Sequence, residues 1–330
     1  MTVKNYFPIF LFSLIISFCL THIVRHLGDR YKITKRNGEP SRLGGLAFYT
    51  VFCLVLLLNQ NFKIAPLETN FFNTIMVSSG LIFVFGLVDD FKELPITIKL
   101  IAQTLIASIL PFFDIRFRFD YLPVFLNTIL TILWIVTIIN AFNLLDILDG
   151  LAAGIALISG LTFCLLSFYA LNPEIGFISV VVCAAIIPFF ILNIKPAKIF
   201  MGDSGSMFLG FIFAVIAIRI TYTHFNRYLA YLTPILVLGL PIYDITFVCL
   251  LRIIKGKSPL LKSRDHFSLR LISLGYGHKQ AILFMYVFCA FFCLLAILSS
   301  TLSDLYALAV LIFVVPLIFL LSRRVALAKI

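Results

Sequence analysis

Residues 122–140 read LPVFLNTILTILWIVTIIN, nineteen residues without a charged side chain. About 20 apolar residues in a helix are enough to cross the hydrocarbon core of a bilayer. The stretch therefore predicts a membrane-spanning helix. It ends at Asn140, where a regular series of polar residues begins.

The rest of the 330-residue chain repeats this pattern. It is 62% hydrophobic and 12% charged, with a mean hydropathy of +1.09, which excludes a soluble enzyme and a disordered chain. The sequence predicts an all-α integral membrane protein with about 11 transmembrane helices, forming a single polytopic domain over residues 1–330. The other apolar runs lie near 6–24, 44–58, 71–88, 98–113, 151–171, 175–193, 205–222, 229–251, 280–300 and 304–321.

The positive charge of the chain predicts its orientation. If the connections alternate sides, 20 of the 26 Lys and Arg residues fall on one side, which should be cytoplasmic. The N-terminus is then outside and the C-terminus cytoplasmic. The net charge of +11 is thus explained by topology, and no nucleic-acid partner is expected. The seven cysteines lie in apolar runs without a C-x-x-C pair, which is typical of packing residues.

Acidic residues are few, and their positions indicate where the chemistry lies. Asp89, Asp90, Asp146, Asp149 and Asp203 all fall where a predicted helix meets the cytoplasm. The acidic residues of the outer connections are scattered and form no motif. We therefore expect an active site on the cytoplasmic segments 25–45, 89–97, 140–150, 194–206 and 252–279.

The first motif is the adjacent pair Asp89-Asp90 at the end of an apolar run. Two carboxylates repel each other and suit a helix C-terminus poorly, so a nearby cation is expected. Such acids hold Mg²⁺ or accept a proton in phosphoryl-transfer sites. A solvated pair balanced by Lys92 is the alternative.

The second motif is a row of polar residues at every third position: Asn140, Asn143, Asp146 and Asp149. Unpaired polar groups in an apolar setting are costly, which favours a functional site over mere interhelical hydrogen bonds. The row can share one pocket only if the helix ends within it, and Gly150 is the predicted stop.

The third motif, FMGDSGS at 200–206, combines two glycines with a predicted helix start. Glycine allows close approach of the backbone, and the first N–H groups of a helix can bind phosphate. Asp203 is a candidate metal ligand, with an ordinary helix cap as the alternative.

The fourth motif is the basic loop that contains Arg264, His266 and Arg270. This combination suits a sugar or a diphosphate, although a surface anchor is the default interpretation. Asp244, inside the ninth run, is an intramembrane acid without an evident partner, and Pro241 is expected to kink the helix there.

Taken in this order, the motifs resemble the polyprenyl-phosphate N-acetylhexosamine-1-phosphate transferases, which include the WecA-type enzymes and the MraY-type translocases. The resemblance runs from about residue 20 to 280. It is carried by Lys35-Arg36, Pro40, Gly44-Gly45, Asp89-Asp90, the N-x-x-N-x-x-D-x-x-D-G row and the FMGDSGS segment.

The resemblance implies transfer of a sugar 1-phosphate from a UDP-N-acetylhexosamine to a polyprenyl phosphate such as undecaprenyl phosphate, with release of UMP. It further implies Mg²⁺, with Mn²⁺ as a substitute, a multi-pass location in the bacterial inner membrane, and a role in starting a cell-envelope glycan such as O-antigen. A homodimer is a further expectation.

The resemblance also implies roles for individual residues. The catalytic residues are expected to be Asp89, Asp90, Asp203 and His266, and Asp203, Asp90 and Asp149 are expected to handle the metal. Substrate-binding roles are expected for Lys35, Asn143, Asp146, Asp149, Phe200, Arg264 and Arg270, with Phe200 stacking near uracil.

Two departures from the family pattern leave alternatives open. Ile147 replaces a common glycine, and Ser268 and Leu269 replace two histidines of the last loop, so that only His266 remains. The alternatives are an MraY-type phospho-N-acetylmuramoyl-pentapeptide transferase and an inactive homologue. A secondary transporter is the alternative from another class, but no internal repeat supports it.

Overall fold

The computed structural model describes residues 6–31, 39–220, 228–259 and 265–327, and these are helices joined by turns and loops. Lys35 falls between the first two of these ranges and so lies outside the described residues. In chain order the helices are α1 Tyr6–Arg30, α2 Gly44–Phe62, α3 Thr69–Lys92, α4 Ile96–Phe112, α5 Val124–Leu145, α6 Leu151–Tyr169, α7 Pro173–Asn193, α8 Gly202–Arg219, α9 Thr233–Val237, α10 Gly239–Ile254, α11 Phe267–Ser273, α12 His278–Thr301 and α13 Asp304–Ala326.

The prediction of an all-α membrane protein is confirmed, and within the described residues each predicted apolar run is mostly helical. Nine of the described helices are long and apolar enough to cross a membrane. A tenth span results if α9 and α10, which are bent by 68°, count as one, and α4 is a shorter apolar helix. The exact number of crossings and the side of each terminus stay predictions.

The chain divides into two compact units, Met1–Ile220 and Thr221–Ile330. The first contains α1 to α8, and the second contains α9 to α13. That both belong to a single transferase domain stays a prediction.

Glycines bring three helices of the first unit into close contact around the start of α8. A Cβ on Gly45 of α2 would lie 2.5 Å from the Cα of Gly205, and one on Gly86 of α3 would lie 2.5 Å from the Cα of Ser204. Substitution at either position would push α8 away from its neighbours. The side chains of α8 are almost entirely buried, so α8 is the central helix of this unit.

An ion-pair network at the other end of α8 joins it to the starts of α3 and α7. Arg219, the last residue of α8, donates to Glu68 at 2.6 Å and to Glu174 at 3.0 Å, and its guanidinium also lies 4.9 Å from the ring of Phe71. The expectation that the outer acidic residues form no motif is therefore wrong for Glu68 and Glu174. They are far apart in sequence, which is why the pattern was not visible there.

In the second unit, the chain bends before Pro241 and not at it. The break falls between Val237 and Gly239, and Pro241 lies in the first turn of α10. In a first turn the backbone N–H that proline lacks would have no helical partner anyway, so proline fits without a kink. The predicted kink at Pro241 is thus displaced to the preceding residues.

Candidate active site

The site in the first unit is built around Asp203, in the first turn of α8. The Asn143 amide, near the end of α5, donates to Asp203 Oδ1 at 2.7 Å and to Ser206 Oγ at 3.1 Å. Two motifs that lie 60 residues apart therefore meet side chain to side chain. The site joins the end of α5 to the start of α8.

Asp90 holds the start of α8 in place. Its carboxylate accepts the backbone N–H of Asp203 at 2.7 Å and that of Ser204 at 3.0 Å, and also the Ser204 hydroxyl at 2.9 Å. These bonds satisfy N–H groups that a helix start leaves unpaired, and the negative charge is favourable at the positive end of the helix dipole.

This arrangement corrects one prediction from the FMGDSGS motif. The N–H groups of Asp203 and Ser204 are not available to a phosphate, because Asp90 already occupies them. The anion that approaches Gly202 is likewise Asp90: a Cβ on Gly202 would lie 2.8 Å from its Oδ2. Gly202 also has a φ of +78°, a conformation that favours glycine.

Lys99 of α4 supplies the cation that the adjacent carboxylates required. Its ammonium contacts Asp89 Oδ2 directly and lies 3.9 Å from Asp203 Oδ2. Asp89 is fully buried, and its Oδ1 accepts the backbone N–H of Leu94 at 2.8 Å. Asp89 and Asp90 thus have different partners, Lys99 for one and the start of α8 for the other.

Helix α5 ends earlier than predicted. It stops at Leu145, and Gly150, with a φ of +83°, precedes α6 instead of terminating α5. Asp146 and Asp149 therefore lie in the turn between the two helices. Both residues line one cavity.

That cavity has a volume of about 260 Å³, slightly below the usual range for small-ligand pockets of about 300–1,000 Å³. It is a polar pocket sized for part of a ligand, such as one nucleoside. Its lining residues are Glu39, Arg42, Asp146, Ile147, Leu148, Asp149, Asn193, Phe200, Gly202 and Asp203.

The electrostatics of this cavity favour a bound cation. The pKa of Asp146 is raised to about 7, mainly by burial and also by the charges of Asp203 and Asp90, while the charge of Arg42 lowers it. Among the residues that the structure describes, four carboxyl groups and one guanidinium line the cavity. A divalent cation would relieve this excess of negative charge.

The donor set fits Mg²⁺ better than a metal that needs a protein cage. Within the described ranges, no three His, Cys, Asp or Glu side chains converge to hold a metal. Mg²⁺ usually keeps several waters and binds one or two carboxylates together with substrate phosphates. Asp203 beside Asn143 would supply one such carboxylate. Asp90 is already engaged by α8, and the Asp149 carboxylate lies 3.4 Å from the backbone N–H of Ala197.

The first member of the polar row has a different environment. Asn140 donates to Gln103 Oε1 at 2.6 Å and to the Val136 carbonyl at 2.7 Å, and Gln103 is fully buried. It does not line the cavity of Asp146 and Asp149. The contacts of Asn140 therefore agree with the alternative interpretation, an interhelical hydrogen bond, here between α5 and α4.

His266 and its surroundings belong to the second unit. Its Nδ1 lies 2.9 Å from Asp244 Oδ2, and Asp244 Oδ1 accepts the backbone N–H of Phe267 at 2.9 Å. Asp244, for which the sequence suggested no partner, thus pairs with the one histidine that remains of the family's last loop.

Arg270, predicted to bind substrate, is 1% exposed and makes internal contacts. It donates to Asp265 at 2.6 Å and to the Ala326 carbonyl at 2.9 Å, so it links α11 to the end of α13. Lys255 also contacts Asp265, at 2.5 Å. The substrate role of Arg270 stays a prediction, and Arg264 lies outside the described residues.

Four polar or charged residues of the site were not identified from sequence: Glu39, Arg42, Lys99 and Asn193. Lys99 and Arg42 were counted only as cytoplasmic charges. Asn193 accepts the backbone N–H of Gly150 at 2.9 Å and donates to the Ile199 carbonyl at 2.8 Å, so it joins the α5–α6 turn to the segment before α8. The spacing of Lys99 from Asp89-Asp90 was a usable signal, since that pair needed a cation.

Membrane-length helices with a polar, acidic cavity at their ends define an integral membrane protein with a site for a charged ligand. Residues 72–221 match the glycosyl transferase family 4 profile, and this match includes every acidic residue of the cavity except Glu39. It ends at the boundary between the two compact units.

Several curated bacterial proteins are similar to most of the chain. The decaprenyl-phosphate N-acetylglucosaminephosphotransferase of Mycolicibacterium smegmatis is 31% identical over 281 residues, which cover 74% of this chain and 68% of that protein. The "Probable undecaprenyl-phosphate N-acetylglucosaminyl 1-phosphate transferase" of Bacillus subtilis is 29% identical over 79% of this chain and 73% of its own length. The undecaprenyl-phosphate alpha-N-acetylglucosaminyl 1-phosphate transferase of Escherichia coli K12 is 24% identical over 88% of this chain and 82% of its own length.

The chain therefore belongs to glycosyl transferase family 4, the family of polyprenyl-phosphate N-acetylhexosamine-1-phosphate transferases. The resemblance that the sequence motifs carried is confirmed.

Proposed function

We propose that this protein transfers N-acetylhexosamine 1-phosphate, most plainly N-acetylglucosamine 1-phosphate, from a UDP-sugar to a polyprenyl phosphate in the bacterial inner membrane. The observation that carries this proposal is the meeting of Asn143 and Asp203 beside Lys99, at the rim of an acidic cavity. The names of the relatives support the lipid acceptor and the sugar.

The reaction is a direct phosphoryl transfer. An oxygen of the lipid phosphate forms a bond to the sugar-proximal phosphorus of the UDP-sugar, and the bond from that phosphorus to the UMP oxygen breaks. The second pKa of a phosphate monoester is about 6, so the lipid phosphate is largely deprotonated at neutral pH. A general base is therefore not required.

The residues of this chain divide the work by position. Asp146, Asp149 and Phe200 line the cavity. In this proposal they bind the uridine. Lys99, close to Asp203, is placed to neutralise a phosphate oxygen, and Asp89 holds the Lys99 ammonium there. Catalysis of this kind depends on positioning and on charge stabilisation.

Asp203 and Asn143 are the residues that would hold Mg²⁺. When bound, Mg²⁺ supplies compensation for the negative charge of the diphosphate. Asp90 takes part indirectly, because it fixes the backbone of Asp203.

The test is an assay of purified protein in detergent with UDP-N-acetylglucosamine, undecaprenyl phosphate and Mg²⁺, measuring UMP and the lipid product. We expect both products, their loss with EDTA, and inhibition by tunicamycin, which blocks members of this family. UDP-N-acetylgalactosamine and UDP-MurNAc-pentapeptide in parallel assays distinguish the sugar and the MraY-type alternative.

Asp203→Asn is the matched variant for this assay. It keeps the size of the side chain and should reduce transfer by at least ~100-fold while leaving the melting temperature nearly unchanged. Asp120→Asn, at an exposed outer position, serves as the control. Absence of UMP from wild-type protein with every sugar would favour an inactive homologue.

A further inference from the structure

We infer that Asp244 is a positioning residue that fixes the ring orientation and the tautomer of His266. The inference rests on the proposed transferase function, and it assigns a role to an acid that the family motifs leave unexplained. Its basis is one buried hydrogen bond and its surroundings, all within the second unit.

The two oxygens of Asp244 have separate partners. Oδ1 accepts the backbone N–H of Phe267 at 2.9 Å, and Oδ2 lies 2.9 Å from His266 Nδ1. A carboxylate can only accept hydrogen bonds, so Nδ1 of the ring is the donor and carries the proton. In the neutral ring the lone pair is then on Nε2.

Burial makes this arrangement rigid. Asp244 is 1% exposed and His266 2% exposed, so water does not compete for the bond between them. Phe267 is fully buried, and its ring lies 5.3 Å from that of Tyr243, next to Asp244 in the chain. Because Tyr243 and Phe267 are the chain neighbours of Asp244 and His266, the packing of their rings holds the backbone at both residues.

The other ring nitrogen has no protein partner among the residues that the structure describes. The contacts of His266 there are made through Nδ1 and through its backbone carbonyl, which accepts the N–H of Arg270 at 3.0 Å. Nε2 is therefore left as an acceptor for a donor group of a ligand. Within the proposed reaction, a hydroxyl or the acetamido N–H of the sugar is the group of matching chemistry.

Asp244→Asn tests this role with little change of shape. The amide oxygen must stay on the Phe267 N–H, which can only donate, so the amide NH₂ faces His266 Nδ1. That contact requires a lone pair on Nδ1 and moves the proton to Nε2. The variant thus keeps the backbone bond and inverts the tautomer, while Tyr243→Phe removes a neighbouring hydroxyl and is the control.

The first readout is the ring itself. The chain has five histidines, so ¹⁵N-histidine labelling in detergent gives a spectrum simple enough to assign with His266→Gln. At pH 8 we expect the proton of His266 on Nδ1 in wild type and in Tyr243→Phe, and on Nε2 in Asp244→Asn. An Nε2-protonated ring in the wild type would overturn the inference, whatever the enzyme assay shows.

The second readout is the kinetic coupling of the two residues. We expect Asp244→Asn to lower kcat/KM for the UDP-sugar by roughly 10- to 100-fold, as loss of a partner that orients a histidine does elsewhere. Added to His266→Gln, it should have little further effect. Independent, multiplying losses or an unchanged kcat/KM in Asp244→Asn would overturn the inference.

The two proposals fail in different ways. If wild-type protein makes no product with any donor, the transferase proposal fails, and the ring spectrum still decides whether Asp244 sets the tautomer. If wild type is active and the spectrum of Asp244→Asn is unchanged, only the positioning role is wrong. The melting temperature of each variant separates both results from a loss of folding.

Discussion

Oδ1 of Asp90 accepts the backbone N–H of Asp203 at 2.7 Å, across 113 positions of sequence. The second of the paired carboxylates therefore acts on the first turn of α8, where the proposed metal ligand is located. The first, Asp89, acts on Lys99 instead. Adjacent acids that look equivalent in the sequence thus have different roles, and their substitutions should have different effects.

Asp90→Ala should lower stability as well as activity. It removes the acceptor of two backbone N–H groups, and loss of a helix cap costs about 0.5–2 kcal/mol. The expected result is a lower melting temperature in detergent, together with a large loss of UMP release because Asp203 is no longer held.

Asp29→Ala is the control, since Asp29 is an exposed residue of α1 whose ion pair within the described part of the chain is with Arg25. Exposed pairs of this kind contribute about 0–1 kcal/mol. Equal melting temperatures for the two variants would show that Asp90 does not support α8.

Lys99→Met should leave Asp89 as a buried carboxylate without its cation. Removing one partner of a fully buried ion pair lowers the free energy of unfolding by about 3–5 kcal/mol. The side chain of Lys99 is 12% exposed, so we expect a loss near the lower end of this range. Thermal unfolding should show a marked decrease.

The double variant Lys99→Met/Asp89→Asn should recover part of that stability, because the unpaired charge is gone. It should not recover transfer, since the cation beside Asp203 is still absent. A double variant no more stable than Lys99→Met would argue against the pairing.

Gly202→Ala should disturb the site by steric conflict. The new Cβ would lie 2.4 Å from the Arg42 carbonyl oxygen, in addition to the strain of a φ of +78°. Gly256→Ala isolates the strain alone, because Gly256 has a φ of +65° and nothing lies within 4 Å of the added Cβ.

Backbone strain of this kind costs about 1–2 kcal/mol. We therefore expect a modest decrease in melting temperature for Gly256→Ala with normal transfer, and a larger decrease with loss of transfer for Gly202→Ala. Comparable effects of the two substitutions on both measurements would be inconsistent with the close packing of Gly202.

In the absence of divalent cations, the free energy of unfolding should decrease as the pH rises from 4 to 7, because of Asp146. Its pKa is raised from 3.8 to about 7, mainly by burial. The unfolded carboxyl group ionises near pH 4, while the folded one keeps its proton until near pH 7, so the folded state binds more protons in that interval. Each pKa unit corresponds to about 1.4 kcal/mol.

Asp146→Asn cannot ionise and should escape this loss. Its melting temperature should exceed that of the wild type by a growing margin as the pH rises from 4 to 7, and by a constant margin above that. Asp29→Asn is the control, and parallel curves for Asp146→Asn and wild type would contradict the assignment.

Most of the site could be predicted from the sequence because its residues interrupt apolar runs. Asn143, Asp146, Asp149 and Asp203 were identified as candidates in this way, and three of them line one cavity. The hydrophobic runs likewise predicted the helices, because the bilayer demands long apolar segments.

The rest depended on contacts between distant segments. A cation such as Lys99 has the same sequence signature as a topological charge, and only folding shows that it faces Asp89. The end of α5 at Leu145 was missed because the run of polar residues suggested a later stop. The pairing of Asp244 with His266 brings together residues 22 positions apart that belong to different helices or caps.

Both ends of helix α8 are bound to α3 or to the residue that precedes it. Asp90 binds its first turn, and Arg219 at its last residue binds Glu68, which precedes α3. Sliding or rotation of α8 along α3 would break the hydrogen bonds of Asp90 at one end and the ion pair of Arg219 at the other. We therefore expect α8 and α3 to move as one unit if the site rearranges during turnover, which keeps Asp203 at a constant position relative to Asp90.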